Sequence, residues 1–533
     1  MPPKKKADPQ APSTSKELKE LLWKAADKLR GSMDASQYKD VVLGLIFLKY
    51  VSDAFDERRA QLREEYAGYG LDEERLAAQL DDIDEYTAHN VFFLPPNARW
   101  GYLSANAKGL PARSIGQLID DAFNLIDGAN PSLKGATPRG YNRDAVDQRR
   151  LGELVDLFNN ARFSGQGASK ARDLLGEVYE YFLEKFARAE GKRGGEFFTP
   201  QSVVRTLVEV LEPTKGRIYD PACGSGGMFV QAEKFLAAHH MDKTALSIFG
   251  QELNERTWRL ARMNLAIHGL NGNLSPVWGD TFANDHHAGE QMDYVMSNPP
   301  FNIKDWHRRE DDSRWRYGVP PAGNANYAWI QHILSKLKSD GSAGVVMANG
   351  SMSSNSGGEG DIRAQIVEAD LVSCMVALPT QLFRSTGIPV CVWFFAKDKS
   401  AGPKGATDRT GQVLFIDARD LGHMVDRAER ALSDDDIARI ANTVHAWRAT
   451  ASAAEQGLSY EDVPGFCKSA TLAEIKASDY ALTPGRYVGA AEAKDDGEPI
   501  EQKIKRLTKE LIAHLDESSR LDAAVREQLG RIG

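Results

Sequence analysis

Asp220-Pro221-Ala222-Cys223-Gly224-Ser225-Gly226-Gly227 stands between a short apolar and aromatic run at 217–220 and a helical pattern at 227–238. Glycines at such a bend let the backbone turn tightly and let a ligand approach it closely. In open α/β sheets nucleotide ligands lie at the carboxyl ends of strands, where this bend would sit. The stretch is not the GxGxxG of dinucleotide enzymes, and no Gly-Lys-Ser/Thr follows to make a P-loop. Taken alone, it also suits an ordinary strand-to-helix turn.

Working downstream, apolar or β-branched runs at 246–251, 274–278, 293–297, 344–347, 371–378 and 390–396 alternate with helical patterns such as 255–268. Alternation of this kind predicts a parallel, doubly wound sheet. The last run, entered through Pro389, reads as an antiparallel partner. Working upstream, a helix at 171–189 leads into a glycine-rich turn at 191–195, and the stretch before it is helical. Thr14 and Glu17 have capping-box spacing, followed by Leu18, Leu21, Leu22, Ala25 and Leu29. A second helix covers 36–58, and helical patterns continue to about residue 160, with charge runs such as 72–75 as solvated faces. The expected division is a disordered terminus at 1–13, a helical domain at 14–165, an α/β domain at 166–400, a mixed extension at 401–490 and a terminal helix at 491–533. That last helix carries Ile500, Ile504, Leu507, Leu511 and Leu515, extended by Leu521, Val525 and Leu529. Such a stripe packs either on a partner helix or on this chain's own helical part.

Three further signals follow the bend in order. Glu252, one βαβ unit later, can accept from both hydroxyls of a ribose. Asp280, after the third run, can accept from an adenine amino group. Asn298-Pro299-Pro300-Phe301 follows the fourth. The prolines fix the backbone, so the Pro299 carbonyl has a set direction. The Asn298 side-chain oxygen and that carbonyl can both accept from one NH2 group. An exocyclic amine is a poor nucleophile because its lone pair is delocalised into the ring, and two acceptors draw it toward tetrahedral geometry. Phe301 can stack on a base, which must leave the helix to be reached.

These residues resemble the amino-methyltransferases, and specifically the modification subunits of type I restriction-modification systems, over nearly the whole chain. Asp220 to Gly227 is similar to that family's cofactor motif and Asn298 to Phe301 to its catalytic motif. Glu196-Phe197-Phe198-Thr199-Pro200-Gln201 resembles its second cofactor motif. The resemblance implies a Rossmann-like class I methyltransferase domain with a mixed seven-stranded sheet, an N-terminal all-helical domain and a C-terminal helical tail. It implies an adenine-N6 DNA methyltransferase using S-adenosyl-L-methionine. Glu196, Phe197, Phe198, Thr199, Pro200, Gln201, Asp220, Gly224, Ser225, Gly226, Gly227, Glu252 and Asp280 would line the cofactor, and Asn298, Pro299, Pro300 and Phe301 would act on the base. The implied partners are double-stranded DNA, a specificity subunit that reads the target, a restriction subunit and a second copy of this chain. Two rival readings are a protein glutamine methyltransferase and a non-catalytic cofactor-binding scaffold; the basic loop and helical tail speak against the first, intact Asn298 and Phe301 against the second.

The loop at 302–325 interleaves Lys304, Arg308, Arg309, Arg314 and Arg316 with Trp306, Trp315 and Tyr317. Basic and aromatic residues beside a flipped-base pocket suit a nucleic-acid contact, and the alternative is a surface loop whose aromatics pack on the sheet. A formal net charge of −9 argues against a chain that grips DNA unaided. The four cysteines form no CxxC pair, and His239-His240 and His286-His287 lack partners at metal spacing, so they read as surface histidines and no metal is expected. The longest apolar run, 41–48, is far too short to span a membrane, which it would need ~20 residues to do, and the expected location is the cytoplasm.

Overall fold

The computed structural model describes residues 15–27, 35–160, 176–186, 199–383 and 387–490, and scattered positions between 504 and 521. Thr14, the terminus 1–13, the turn 191–195 and Glu196, Phe197 and Phe198 lie outside them. The described residues up to Val488 form one compact unit and those from Gly489 onward a second.

The first part of the chain is helical: α1 (Ser15–Asp27), α2 (Ala35–Tyr66), α3 (Glu73–Leu80), α4 (Asp84–Thr87), α5 (Trp100–Ala105), α6 (Ile115–Ala129), α7 (Gln148–Asn160) and α8 (176–186). In α6, Ser114 and Gln117 form a complete capping box. Behind it, Ile115, Leu118, Ile119, Ala122, Phe123 and Ile126 bury one face at helical spacing. α2 runs eight residues beyond the predicted end at Arg58. The Arg58 guanidinium holds the added turns by donating to Glu65 Oε1 at 2.6 Å and to the Glu85 carbonyl at 3.2 Å. The charge run at 72–75 is more than a solvated face, because the Asp72 carboxylate caps α3 by accepting from the Arg75 amide at 2.8 Å.

The second part of the chain alternates strands with helices. In chain order come α9 (Gln201–Leu211), β1 (Gly216–Asp220), α10 (Gly227–Ala238), β2 (Leu246–Gly250), α11 (Glu255–Ile267), β3 (Gly272–Asn273), β4 (Met292–Ser297), α12 (Asn326–Lys336), β5 (Leu337–Ala348), α13 (Glu359–Glu368), β6 (Val372–Ala377), β7 (Val390–Ala396) and β8 (Gln412–Asp417). A short hairpin, β9 (His423–Met424) and β10 (Arg430–Ala431), precedes α14 (Asp434–Arg448), α15 (Ala451–Glu455), β11 (Cys467–Thr471) and α16 (Leu472–Ala477). The sheet has nine strands in the order β11-β8-β6-β7-β5-β4-β1-β2-β3. Its β1, β2, β3, β4 and β5 pair parallel, and β7 runs antiparallel between β5 and β6. Six of the seven expected strands are present and, together with the short β3, make the contiguous part of this sheet. β8 and β11, from the stretch expected as a mixed extension, continue it.

The third expected strand, 274–278, is not one. β3 ends at Asn273, Ser275 has a φ of +62°, and Pro276 has no amide to give a ladder.

α11 has two apolar faces. Trp258, Ala261 and Leu265 belong to the core beneath the sheet, while Leu260, Met263 and Ile267 belong to the core of the helical part. Lys234 on α10 adds an ion pair to Glu180 of α8 at 2.8 Å, and Arg262 donates to the Ser132 and Lys134 carbonyls.

Candidate active site at the carboxyl ends of the strands

The chain leaves β1 at Asp220 and enters the glycine bend, and the loops behind β1, β2 and β3 are laced together by the backbone and side chain of one residue. Gln251, fully buried, donates from Nε2 to the Gly279 carbonyl at 3.1 Å and the Asn284 carbonyl at 2.8 Å, and accepts from the His286 amide at 3.1 Å. Its own carbonyl accepts from the Cys223 amide at 2.9 Å, and its amide donates to the Asp220 carbonyl at 3.0 Å. The sequence reading passed over Gln251; a polar residue closing an apolar strand just before Glu252 was the available signal.

Asp220 faces inward. It is 2% exposed and accepts from Ser297 Oγ at 2.6 Å and the Ala222 amide at 3.0 Å, stitching β1 to the end of β4. Burial pushes its carboxyl up to about 7. Gly226 has a φ of +79°, and a Cβ there would face Ala261 and Leu265 of α11 at 3.7 Å, away from any open space. A Cβ at Gly224 or Gly227 would meet no atom of the described residues within 4 Å, so among them the cradle opens over those two residues. Asn264 of α11 fixes the bend by donating to the Ser225 carbonyl at 2.9 Å.

The Glu252 carboxylate accepts from the Gly224 amide at 3.0 Å and the Asn254 amide at 2.8 Å, which ties it to the glycine bend. Asp280 accepts from the Phe282 amide at 2.8 Å through one oxygen. Beside these acids Leu253 (65% exposed), Val277 and Trp278 present apolar surface. That combination, acceptors with an apolar flank over an open glycine cradle, fits an adenosine-bearing ligand. Leu253 and Trp278 were not singled out in sequence, since exposure is what marks them.

At the end of β4, Asn298 donates from Nδ2 to Thr199 Oγ1 at 2.9 Å, while its Oδ1 is buried with no hydrogen-bond partner among the described residues. The Pro300 carbonyl is taken by Trp329 Nε1 at 3.1 Å. Among the described residues no donor reaches the Pro299 carbonyl. The turn is locked behind this motif: Asn302 has a φ of +60°, its amide donates to Asn326 Oδ1 at 2.8 Å, and Asn326 Nδ2 donates back to Asn302 Oδ1 at 3.0 Å. Phe301 packs in the core beneath the sheet. Of the 196–201 motif the structure brings Thr199 to Asn298, while Pro200 and Gln201 start α9.

The loop at 302–325 is built differently from the expectation. Trp306 and Trp315 are buried with Phe282 and Trp329 in a cluster of their own. Arg308 donates to the Pro320 carbonyl at 2.8 Å and pairs with Glu310, Arg309 pairs with Asp311, and Arg314 is absorbed among Asp312, Thr281, Phe282 and His332. Lys304, Arg309 and Arg316 are exposed. Counting all five cations as available for DNA overlooked the loop's own acids and carbonyls. His287 also departs from the surface reading: it is buried, with Nε2 2.8 Å from the Gly250 carbonyl. Among the described residues no group of three or more His, Cys, Asp or Glu side chains is placed to hold a metal ion, and no helix is long and apolar enough to cross a membrane.

Comparison with known proteins places these features in context. The family described as N-6 DNA Methylase matches residues 170–496, and the one described as HsdM N-terminal domain matches residues 18–158. The chain is 46% identical to the type I restriction enzyme HindI methylase subunit of Haemophilus influenzae over 459 residues, covering 83% of this chain and 100% of that one. It is 39% identical to the type I restriction enzyme MjaIX methylase subunit of Methanocaldococcus jannaschii, covering 97% and 92%. The crystal structure of a type I restriction-modification methyltransferase subunit from Streptococcus thermophilus superposes with a TM-score of 0.74 at 26% identity, over 89% of this chain and 100% of that one.

Proposed function

The chain belongs to the methylase subunits of type I restriction enzymes, with an adenine-N6 DNA methyltransferase domain, and from that premise we propose that S-adenosyl-L-methionine is its donor and double-stranded DNA its substrate. When bound, the donor supplies an electrophilic methyl group on a sulfonium. Gly224, Ser225, Gly226 and Gly227 form the cradle against which it lies, Glu252 accepts from its ribose and Asp280 from its adenine, with Leu253 and Trp278 flanking the ring. Asn298 Oδ1 and the Pro299 carbonyl each accept one hydrogen of the target N6, which localises the lone pair on nitrogen. The Phe301 ring, buried in the core in this structure, stacks on the base by turning out of that core. The base is flipped from the duplex to reach them, and the surplus N6 proton leaves to solvent after transfer.

The observation that carries this reading is the buried Asn298 Oδ1 without a partner among the described residues, since a buried acceptor left unpaired costs about 1–3 kcal/mol unless a ligand supplies the donor. The test is transfer of a tritiated methyl group to DNA by the full chain, alone and assembled with a specificity subunit. Tritium appearing as N6-methyladenine supports the reading, and incorporation into protein glutamine instead would overturn it.

Target reading, in this proposal, belongs to a separate specificity subunit, and a restriction subunit and a second copy of this chain join the assembly. In the second unit Ile504, Leu511 and Leu521 are helical and more than half exposed, while Ile500, Leu507, Val525 and Leu529 lie outside the described residues. Deleting residues 496–533 should leave donor binding intact and weaken copurification with the specificity subunit. Undiminished complex formation on size-exclusion chromatography would mean that the stripe is not a subunit contact.

A further inference from the structure

Arg314 stands on the loop that follows Asn298-Pro299-Pro300-Phe301, yet its guanidinium is spent on the other side of the crevice. Nη1 donates to the Thr281 carbonyl at 2.9 Å and Nη2 to the Phe282 carbonyl at 2.8 Å. Nε meets Asp312 Oδ1 at 2.9 Å, Nη2 meets Asp312 Oδ2 at 2.5 Å, and Nη1 lies 3.2 Å from His332 Nδ1. The five N–H groups of an arginine form a rigid fork, and here that fork has five acceptors. The rings of Trp315 and Phe282 lie 5.3 and 5.8 Å from the guanidinium carbon, and the side chain is 13% exposed. His332 is fully buried and held neutral, its pKa pushed down to about 3 by burial, so Nδ1 can serve as an acceptor. Its Nε2 lies 3.3 Å from the Tyr219 hydroxyl on β1.

The two carbonyls are not arbitrary. Thr281 and Phe282 directly follow Asp280, the Phe282 amide donates to Asp280 Oδ1, and Thr281 Oγ1 donates to the Pro221 carbonyl at 2.6 Å in the glycine bend. A movement of Asp280 against a ligand therefore moves two acceptors of Arg314. A movement of Arg314 moves Trp315, whose indole donates to the Arg309 carbonyl at 2.6 Å, and with it the loop beside the target base.

We propose that Arg314 is a positioning residue that couples occupancy of the donor pocket to the arrangement of the target-base pocket. The inference rests on the reading of the site given above. Coupling between two sites is reciprocal, so the donor should tighten DNA binding by the factor by which DNA tightens donor binding. Lysine keeps the charge opposite Asp312 but cannot reach two carbonyls, a carboxylate and an imidazole together, so Arg314→Lys should break the coupling while retaining the fold.

The experiment uses the full chain assembled with its specificity subunit. The recognition site is found first by mapping N6-methyladenine in DNA methylated in cells, and 2-aminopurine then replaces the target adenine. DNA affinity and 2-aminopurine fluorescence are measured with and without S-adenosylhomocysteine, which binds without reacting, and affinity for S-adenosylhomocysteine with and without DNA. In the wild type each ligand should tighten the other about tenfold, a coupling of ordinary size. In Arg314→Lys both factors should fall toward one, with each separate affinity changed less than about threefold, given that neither ligand touches Arg314 in this proposal. In Arg314→Ala, added guanidinium ion should restore part of the fluorescence response. A wild-type coupling factor of one, or an Arg314→Lys complex with the wild-type factor, would overturn the inference and leave the proposed function standing. A wild-type complex that binds S-adenosylhomocysteine but methylates no DNA would instead remove the functional reading and this inference with it.

Discussion

The bend at 220–227 and the loop at 302–325 follow neighbouring strands, β1 and β4, and are held in opposite ways. The bend is fixed from beneath by backbone groups and short polar side chains: the Cys223 amide on Gln251, Asn264 on Ser225, and Glu252 on the Gly224 amide. Over Gly224 and Gly227 no described residue comes within 4 Å of where a Cβ would stand. The loop has no such economy. Its arginines turn back on its own acids and carbonyls, and its tryptophans fill a small core with Phe282 and Trp329. A site built on backbone geometry demands particular residue types at fixed spacing. An arginine means one thing beside a phosphate and another beside an aspartate two residues away.

The contrast can be broken at four places. The largest effect is expected from Asn298→Ala, which should lower methyl transfer about a thousandfold or more, as loss of a preorganised polar group at a reacting centre does. Donor affinity, measured by calorimetry, should fall far less than transfer, because Asn298 reaches the donor side only through its bond to Thr199 Oγ1 and, among the described residues, makes no hydrogen bond with Gly224 to Gly227. Near-normal transfer would show that another group orients the amine.

Next come the glycines, which separate blockage from strain. Gly227→Leu places a side chain in open space and should weaken donor binding at least tenfold, about the 1.4 kcal/mol that the loss of one good contact costs, with the melting temperature kept. Gly226→Val acts otherwise. Its φ of +79° suits no branched residue, and its Cβ points to α11, so it should lower the melting temperature by several degrees. Normal donor affinity in a folded Gly227→Leu protein would move the site elsewhere.

A smaller effect should follow from Arg309→Ala with Arg316→Ala. If these exposed cations meet phosphate, DNA affinity falls and the log–log salt slope drops by about two. Arg308→Ala, whose donors serve Pro320 and Glu310, should cost melting temperature while leaving the salt slope near its wild-type value.

The smallest is a pH effect at Asp220. Its carboxyl titrates near 7 in the fold and near 4 when unfolded, so the native state binds the extra proton between those values. Stability should therefore fall as pH rises from about 4 to 7 and then level off. Asp220→Asn, which keeps an acceptor for Ser297 and Ala222, should remove that slope by a few degrees of melting temperature. A wild-type profile parallel to the variant's from pH 5 to 8 would show that Asp220 stays ionised.

What was legible in the sequence follows the same line. Six strands, the glycine bend, Glu252, Asp280 and Asn298 were readable because each rests on local pattern. β11, Cys467–Thr471, was not, since only Cys467 and Ala470 of it are buried and its place comes from β8 beside it. The run 274–278 had strand composition, and Pro276 within it was the overlooked stop. Gln251 and Asn264 act on chain segments up to 39 residues away, and Arg314 on carbonyls 32 and 33 residues away, which no local pattern encodes.

The two-faced α11 sets how this chain can be cut. A fragment starting near residue 166 would keep the sheet half and α8 but lose α1 to α7, which share a core with Leu260, Met263 and Ile267. Each apolar side chain of this size returned to water costs about 1.5–3 kcal/mol, a sizeable part of the margin of about 5–15 kcal/mol by which a folded domain survives. The boundary near residue 165 is thus visible to a sequence comparison and invisible to heat: the helical and sheet parts should melt together, and a chimera that swaps one must recut the inner face of the other.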